Sequence, residues 1–528
     1  MEHLAGRIML LWGVRRWALS FLAGALGVLS LPPFDFFAVL FISFTLLVWL
    51  LDGASGDPDA GFFGKLRPAF WTGWWFGFGY FTGGLWWLAN ALLIEAEQFA
   101  WALPIAVFGL PALLAIFYGL ATAFARALWS DGLGRICVLA AGFGLAEWMR
   151  SFVLTGFPWN AIGYGAMPVP VMMQSSAVVG IFAMSALAVV VFSVPALIAT
   201  RRGLVPGLAI AVLLCSAHIG YGYWQLSQPM PDADENIVIR LVQPSIDQSE
   251  KWDDDERSRI FDTLLSLSSR PPESGRQPTH IVWPETSVPF ILTSNPAALA
   301  MIGQTLQDGQ TLITGAVRQE SGAAGEETRY YNSIYTIDDE GQIIAAADKV
   351  HLVPFGEYLP FEGLLQRAGL DTIATTPGGF SAGSRRSSVA VNGDRRFLPM
   401  ICYEVIFPAE MAAEGPPADF IVNVTNDAWY GNTPGPHQHF RKAQLRAVET
   451  GMPLVRAANN GISAVTDGKG RIMAGMSQNV IGFVDVELPT KIHAKVNNWN
   501  TNLAFWLITG VLILGGLVSR YSFVRHGN

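Results

Sequence analysis

The sequence is short of charge and of cysteine. Only 14% of its 528 residues are Asp, Glu, Lys or Arg, while 51% are hydrophobic. Soluble domains run at about a quarter charged, and the mean hydropathy of +0.35 points the same way. A chain this poor in charge is expected to keep much of its length in lipid. No basic surface compensates: at a net charge of −8, nothing stands ready to neutralise phosphates, and a nucleic-acid partner is not expected. Three cysteines, Cys137, Cys215 and Cys402, make no disulfide framework, and no CxxC or Cys/His spacing marks a zinc site. The first two lie within apolar segments and read as small buried hydrophobes. Cys402 is alone in the polar part of the chain. Internal repeats and low-complexity tracts are also lacking.

What is abundant is apolar sequence in long runs. Seven such segments precede residue 225, near 15–31, 34–51, 69–93, 101–128, 134–152, 173–199 and 204–222. Each approaches or exceeds the roughly 20 residues a helix needs to cross a bilayer. Pro32-Pro33 separates the first two and predicts a tight hairpin. Arg15-Arg16 before an apolar run has the look of a signal peptide, but further spans follow at once, so an uncleaved anchor is expected.

Basic residues orient the spans. Arg7, Arg15 and Arg16 precede or open the first, Lys65 and Arg67 lie between the second and third, Arg126 and Arg135 between the fourth and fifth, and Arg201 and Arg202 between the sixth and seventh. The alternate loops are poor in them, one carrying Glu95 and Glu97 instead, and Arg150 is the visible exception. Positive charge marks the cytoplasmic side, so the N-terminus is expected inside and residue 225 onward outside. An eighth apolar run at 503–518, followed by Arg520 and Arg525, returns the C-terminus to the cytoplasm. Trp71, Trp74, Trp75, Trp86 and Trp87 read as interfacial anchors.

Composition changes at Pro229-Met-Pro-Asp-Ala-Asp-Glu235, a polar linker. The expected organisation is a seven-helix membrane domain over 1–228, an extracytoplasmic α/β domain over 229–495, and the eighth helix with a short tail over 496–528. Within the α/β domain, β-rich runs recur at 237–242, 280–283, 311–317, 333–337, 343–347, 397–402 and 420–424, with polar helical patterns at 254–269 and 440–450.

Three of these strand ends carry reactive groups. The apolar run from Phe397 breaks at Cys402-Tyr403-Glu404, so a thiol sits at the mouth of a sheet with a backbone N–H beside it. Glu285 follows the run ending in Trp283-Pro284, and Lys349 follows the run ending at Asp348. A thiol titrates near 8.5, so little is thiolate at neutral pH. A carboxylate at Glu285 would take its proton as sulfur attacks a carbonyl and return it to the leaving group. The oxyanion then formed needs a fixed cation or N–H donors, which Lys349 and the Tyr403 N–H supply. Taken singly, Glu285 and Lys349 read as an ordinary ion pair at a domain surface.

Together, in the order Glu, Lys, Cys with Trp283-Pro-Glu285 and Cys402-Tyr-Glu-Val-Ile-Phe-Pro408, they resemble the nitrilase superfamily. The flanking spans resemble its membrane branch, the bacterial apolipoprotein N-acyltransferases. Gln243-Pro-Ser-Ile, Lys251-Trp252, residues 423–431, Gly435-Pro-His-Gln-His439 and Arg456-Ala-Ala-Asn-Asn-Gly-Ile-Ser463 extend the likeness through nearly the whole chain. The resemblance implies a nitrilase-like αββα sandwich beside a bundle of eight transmembrane helices. It also implies Glu285 as general base, Lys349 as oxyanion stabiliser and Cys402 as nucleophile. Glu357 would position Lys349, Tyr403 and Glu404 would shape the turn at the nucleophile, and Trp252 would line the substrate region. The implied partners are a phospholipid acyl donor and diacylglyceryl apolipoprotein acceptors, in the bacterial inner membrane with the catalytic domain periplasmic. The implied route is ping-pong through a thioester, with no cofactor and no metal.

Two rivals stand beside this reading. A membrane-anchored amidase or nitrilase acting on a small soluble substrate would share all three residues but would not need eight spans. A transporter with a degenerate domain would be expected to lose a catalytic residue and to carry more intramembrane charge than Glu147 and Arg150. His437 and His439 lack a third ligand at useful spacing and are expected in a loop. The apolar loops 286–292 and 352–361, with Phe290 and Phe355, are expected to line a lipid entrance.

Overall fold

A helix stands at each of the eight apolar segments: α1 (Gly13–Gly27), α2 (Val39–Asp52), α3 (Phe62–Leu85), α4 (Leu110–Ala127), α5 (Leu133–Arg150), α6 (Ser176–Ser193), α7 (Leu204–Ser227) and, after the α/β domain, α11 (Thr501–His526). The computed structural model describes all residues except 1, 95, 252, 254, 273–274, 323–327, 361–378, 392–394, 493–499 and 527–528. Among the described residues, four stretches are long and apolar enough to cross a membrane: Ala100–Ala127, Ser176–Ala199, Leu204–Ser227 and Thr501–Tyr521. The others fall below that measure for local reasons. α1 and α2 are short, α3 is rich in Gly and Trp and carries Lys65 and Arg67, and α5 carries Arg135, Glu147 and Arg150.

The chain divides into two units, one of Met1–Pro229 with Lys495–Asn528, the other of Met230–Ala494. In the first, the Pro32-Pro33 turn is closed by Phe34 N and Asp35 N, which donate to Leu31 O at 3.0 and 3.1 Å. α1 and α3 cross where side chains vanish. A Cβ on Gly24 would lie 1.9 Å from Phe76 O, and one on Gly79 would lie 2.0 Å from Phe21 O. Small residues let helix backbones approach in this way where lipid supplies no hydrophobic drive between helices. The charges of α5 are paired internally. Arg150 Nη2 donates to Glu147 Oε2 at 2.6 Å, Tyr118 OH of α4 donates to Glu147 Oε1 at 2.5 Å, and Arg150 Nη1 donates to Trp159 O at 2.7 Å. This network ties the non-helical stretch after α5 to two helices, the arrangement that makes buried charge tolerable at low dielectric.

The second unit is built on two six-stranded sheets. The first, in order β12-β1-β2-β3-β4-β5, comprises β1 (Asp234–Gln243), β2 (His280–Val282), β3 (Thr311–Glu320), β4 (Arg329–Ile337), β5 (Ile343–Asp348) and β12 (Gly482–Leu488). The second, in order β11-β10-β9-β8-β7-β6, comprises β6 (Val389–Ala390), β7 (Arg396–Ile401), β8 (Phe420–Asn426), β9 (Leu454–Asn459), β10 (Ser463–Thr466) and β11 (Ile472–Met476). β1, β2 and β3 are parallel, as are β7, β8 and β9.

Period-two burial explains the layers. Ile239, Leu241, Val282, Ile313 and Ile334 of the first sheet pack against Phe397, Val422, Val424 and Val455 of the second. Val242, Ile281, Trp283 and Leu312 face the other way, onto Ile260, Phe261 and Leu264 of α8 (Arg257–Ser269) and Ala298 and Ile302 of α9 (Pro296–Thr305). α10 (Pro434–Thr450) lies against β9 and the turn after β7 in the second sheet. The order is helix, sheet, sheet, helix. One expectation needs correcting here: His437 and His439 lie on α10, not in a loop. Thr433 caps that helix, accepting from Gly435 N at 3.2 Å. Pro434 and Pro436 sit in the first turn, where a missing N–H costs nothing.

Candidate active site

The parallel strands of both sheets bring their C-terminal ends to one region, as α/β architectures do. β2 delivers Trp283, Pro284 and Glu285; β5 delivers Lys349; β7 delivers Cys402; β8 delivers Thr425 and Asn426. The sequence predicts the strand to end at Cys402, and β7 stops one residue before it, at Ile401. Cys402 instead opens a 3-10 turn with φ +49°, a left-handed conformation held only by surrounding contacts. Thr286, φ +41°, and Phe355, φ +65°, adopt the same region beside Glu285 and Glu357.

The charged groups form one hydrogen-bonded cluster. Lys349 Nζ donates to Glu357 Oε1 at 2.8 Å and lies 3.5 Å from Glu285 Oε1. Asn332 Nδ2, from the middle of β4, donates to both carboxylates, at 2.7 Å to Glu285 and 2.9 Å to Glu357. Glu285 Oε2 accepts from Asn426 N at 2.9 Å, joining the first sheet to the second. Glu357 Oε2 accepts from Val353 N at 2.8 Å, bracing the loop beyond Lys349. Burial works against the charge on Lys349, but the carboxylates of Glu357 and Glu285 outweigh it and raise its pKa, so it is a permanent cation. Burial, then the charge on Glu285, raises the Cys402 thiol, and the opposing Lys349 does not cancel them. The resting thiol is neutral.

Glu404 braces the nucleophile turn. Its Oε2 accepts from Ile401 N at 2.7 Å, its Oε1 accepts from Val350 N at 2.8 Å and His351 N at 3.1 Å, and Arg386 donates to both oxygens at 2.7 and 3.0 Å. One buried carboxylate therefore locks the Cys402 turn to the Lys349 loop. The Tyr403 ring packs edge-on against the stacked pair of His351, at 5.8 Å, and Phe407, at 5.1 Å. Trp252 lies outside the described residues. The two entrance phenylalanines part company: Phe355 is 53% exposed, whereas Phe290 packs on Phe261 at 5.3 Å under the helical layer.

Sequence reasoning missed several residues of this region. Asn332 had only a faint signal, as an amide in the middle of a strand that also carries Ser333 and Thr336. Lys251 is buried, with Nζ donating to Thr286 Oγ1 at 2.6 Å and Glu285 O at 3.2 Å; burial lowers its pKa to about 8 although Glu285 and Cys402 oppose this. Behind Cys402, His439 sets Nδ1 2.8 Å from Asp427 Oδ1 and Nε2 3.1 Å from Cys402 O, and Arg456 Nη2 donates to Asp427 Oδ2 at 2.7 Å. Thr425 Oγ1 lies 3.2 Å from Cys402 Sγ. Gly315 of β3 is needed for contact: a Cβ there would lie 2.5 Å from Glu285 Cα. Arg386 had no local signal, because its partners come from distant segments.

Comparison with known proteins bears on both units. Residues 23–194 match the family described as the apolipoprotein N-acyltransferase N-terminal domain, and residues 239–494 match the carbon-nitrogen hydrolase family. Proteins named apolipoprotein N-acyltransferase from Rhizobium rhizogenes and Rhizobium leguminosarum bv. trifolii are 56% and 57% identical, with all of this chain and all of theirs covered. One from Brucella suis biovar 1 is 58% identical over 93% of each chain. Among solved structures, an amidase from Nesterenkonia sp. aligns with 52% of this chain and 98% of its own, at 19% identity and a TM-score of 0.36.

Proposed function

This chain belongs to the apolipoprotein N-acyltransferase family, and from that premise we propose the reaction it carries out at Cys402. A fatty acyl chain passes from a membrane phospholipid to the Cys402 sulfur, then from that thioester to the α-amine of a diacylglyceryl-cysteine at an apolipoprotein N-terminus. The observation that carries the reading is the single buried group of Glu285, Asn332, Lys349 and Glu357 beside a neutral thiol.

In the first half-reaction, Glu285 takes the S–H proton as sulfur bonds to the ester carbonyl carbon. The oxyanion so formed faces Lys349 and the Tyr403 N–H. The C–O bond then breaks, and Glu285 returns the proton to the lysophospholipid oxygen. In the second, the amine nitrogen attacks the thioester carbon, Glu285 accepts a proton from it, the C–S bond breaks, and the proton goes back to sulfur. A neutral resting thiol suits this scheme, because the base then acts only when substrate is in place. Asn332 and the Asn426 N–H fix the Glu285 carboxylate, and Glu357 aims the Lys349 ammonium, which is the preorganisation such a step needs. Splitting an ester-to-amide exchange through a thioester replaces one slow attack by two easier ones.

The membrane half holds the chain in the bilayer that carries the donor. We place residues 1–228 as seven spans, 229–495 as a periplasmic catalytic domain and 496–528 as the eighth span and tail, in the inner membrane with both termini cytoplasmic. The alternation of Arg and Lys between loops supports this orientation.

Intact-mass measurement after incubation with phospholipid vesicles tests the reaction. The wild type is expected to gain one acyl mass on Cys402 and lose it when a diacylglyceryl peptide is added. Cys402→Ala gains none. No adduct on the wild type, with hydrolysis of small soluble amides instead, would overturn the proposal in favour of an amidase.

A further inference from the structure

Cys402 Sγ has one hydrogen-bonding neighbour among the described residues, and it is not one of the three groups assigned above. It is Thr425, fully buried at the end of β8. The parallel register of β7 and β8 pairs Ile401 with Val424, so the next position sets Thr425 beside Cys402, where β7 has ended. Val422 and Val424 face the core between the sheets. The period of the strand turns Thr425 to the opposite side, where its Oγ1 lies 3.2 Å from Sγ and 3.1 Å from Asp427 Oδ1.

A hydroxyl has one proton and two lone pairs, so it can donate to only one of these neighbours at a time. Asp427 sits between His439 Nδ1 at 2.8 Å and Arg456 Nη2 at 2.7 Å. Burial opposes its charge, but Arg456 and His439 hold its pKa below the usual carboxylate range. Asp427 is thus an anion with partners of its own. While Cys402 is a thiol, the Thr425 hydroxyl can donate to Asp427. When sulfur becomes anionic, a rotation about the Cβ–Oγ1 bond turns the same proton onto Sγ, and Asp427 keeps His439 and Arg456.

We propose that Thr425 is a further catalytic residue, a two-position hydroxyl donor that stabilises the Cys402 thiolate each time it forms. The need arises twice: as Glu285 removes the S–H proton during attack on the phospholipid ester, and as the amine expels sulfur from the thioester. In neither step does Thr425 lose its proton; Glu285 carries the transferred one. Asp427 acts through Thr425 and is a positioning residue. This inference rests on Cys402 being the nucleophile.

The test is the pH dependence of Cys402 alkylation by iodoacetamide in the full-length protein, followed by peptide mass, with Cys137 and Cys215 as internal references. Hydrogen bonds to a charged group contribute on the order of 1.5–3 kcal/mol, which converts to roughly one to two pH units and tenfold to hundredfold in rate. Thr425→Val keeps the shape and removes the hydroxyl. It is expected to move the alkylation midpoint of Cys402 up by about one unit or more and to slow acyl transfer at least tenfold, roughly the lower end of that range. Thr425→Ala, which lacks the hydroxyl and the bulk, must show the same shift, and Thr425→Ser must restore the wild-type midpoint. A Val profile that overlays the wild type overturns the proposal, as does a shift in Ala without one in Val, which would mark a packing effect. Alkylation involves no lipid, so the outcomes separate. A missing acyl adduct with the Thr425 dependence intact defeats the acyl-transfer reading alone, and an adduct with no Thr425 dependence defeats this inference alone.

Discussion

Lys251 is 2% exposed, and its ammonium holds the backbone carbonyl of Glu285 and the hydroxyl of Thr286. It therefore pins the turn in which Thr286 is left-handed and the proposed base is presented. Its pKa falls from 10.5 to about 8, with burial as the largest cause. Between those two values the unfolded chain holds a proton that the folded chain has released, so this residue makes the folded state more stable as pH rises through the window. Cys402 works in the opposite sense above its ordinary 9.0, because its folded pKa is raised. The wild-type slope is a sum of such terms, and a difference against Lys251→Met isolates one of them. Wild-type stability is expected to gain on the variant by on the order of 3 kcal/mol across the window, read as a growing gap in unfolding midpoint between pH 7.5 and 10.5. A gap that stays constant with pH would mean that Lys251 titrates normally. Acyl transfer should also slow in the variant, because the Glu285 turn loses its clamp.

At the scale of elements, the strands that carry Glu285, Lys349 and Cys402 were legible. The runs at 280–283, 343–347 and 397–402 announce β2, β5 and β7. β2 and β7 are buried on both faces and read as apolar runs, while β5, at a sheet edge with alternate residues exposed, is announced by Ile343-Ile344 and the small residues after them. β9, β10, β11 and β12 escaped notice for a physical reason. β9 spends a fully buried strand position on Arg456, β10 is four residues long, and β11 and β12 are half-buried at sheet edges, so apolar pattern fades in all of them. The supporting contacts were less legible still. Asn332, Thr425 and Arg386 act on residues distant in sequence, which become neighbours only after folding.

Gly315 is the sharpest case of an element positioning a site. The flanking β3 residues Thr314 and Ala316 are fully buried, and β3 passes so close to the Glu285 turn that a Cβ would lie 2.5 Å from Glu285 Cα, 2.6 Å from Pro284 O and 2.7 Å from Thr286 N. Backbone atoms cannot swing aside as a flexible side chain can. Gly315→Ala is therefore expected to cost about 1–3 kcal/mol, the usual range for overpacking, and to abolish most acyl transfer by displacing Glu285. Gly482→Ala is the matched control, since its Cβ would meet only Met476 Sδ at 3.7 Å. Equal denaturation midpoints for the two variants would show that β3 yields more readily than these distances imply.

Over the whole molecule, the proposed reaction imposes a condition of sidedness. The donor lipid and the acceptor's modified cysteine both belong to the membrane surface, so every residue of the catalytic unit must face the compartment where lipoproteins mature, and every Arg- and Lys-rich loop must face the other. Two exposed turns report on this without touching the active site: Glu340, between β4 and β5, and Asp57, between α2 and α3. The native Cys137, Cys215 and Cys402 are replaced by alanine in this experiment, so that each introduced cysteine is the sole thiol. A maleimide too polar to cross the membrane, added to intact spheroplasts, is expected to label Glu340→Cys promptly and Asp57→Cys only after permeabilisation. The seven-span count hangs on the same result, because an odd number of crossings before Met230 is what puts these two turns on opposite sides. Labelling of both turns from outside would break that parity, whereas labelling of Asp57→Cys alone would keep it and invert the orientation. Only the inverted orientation would leave the thiol of Cys402 on the wrong face for its acceptor, whatever the quality of the cluster around it.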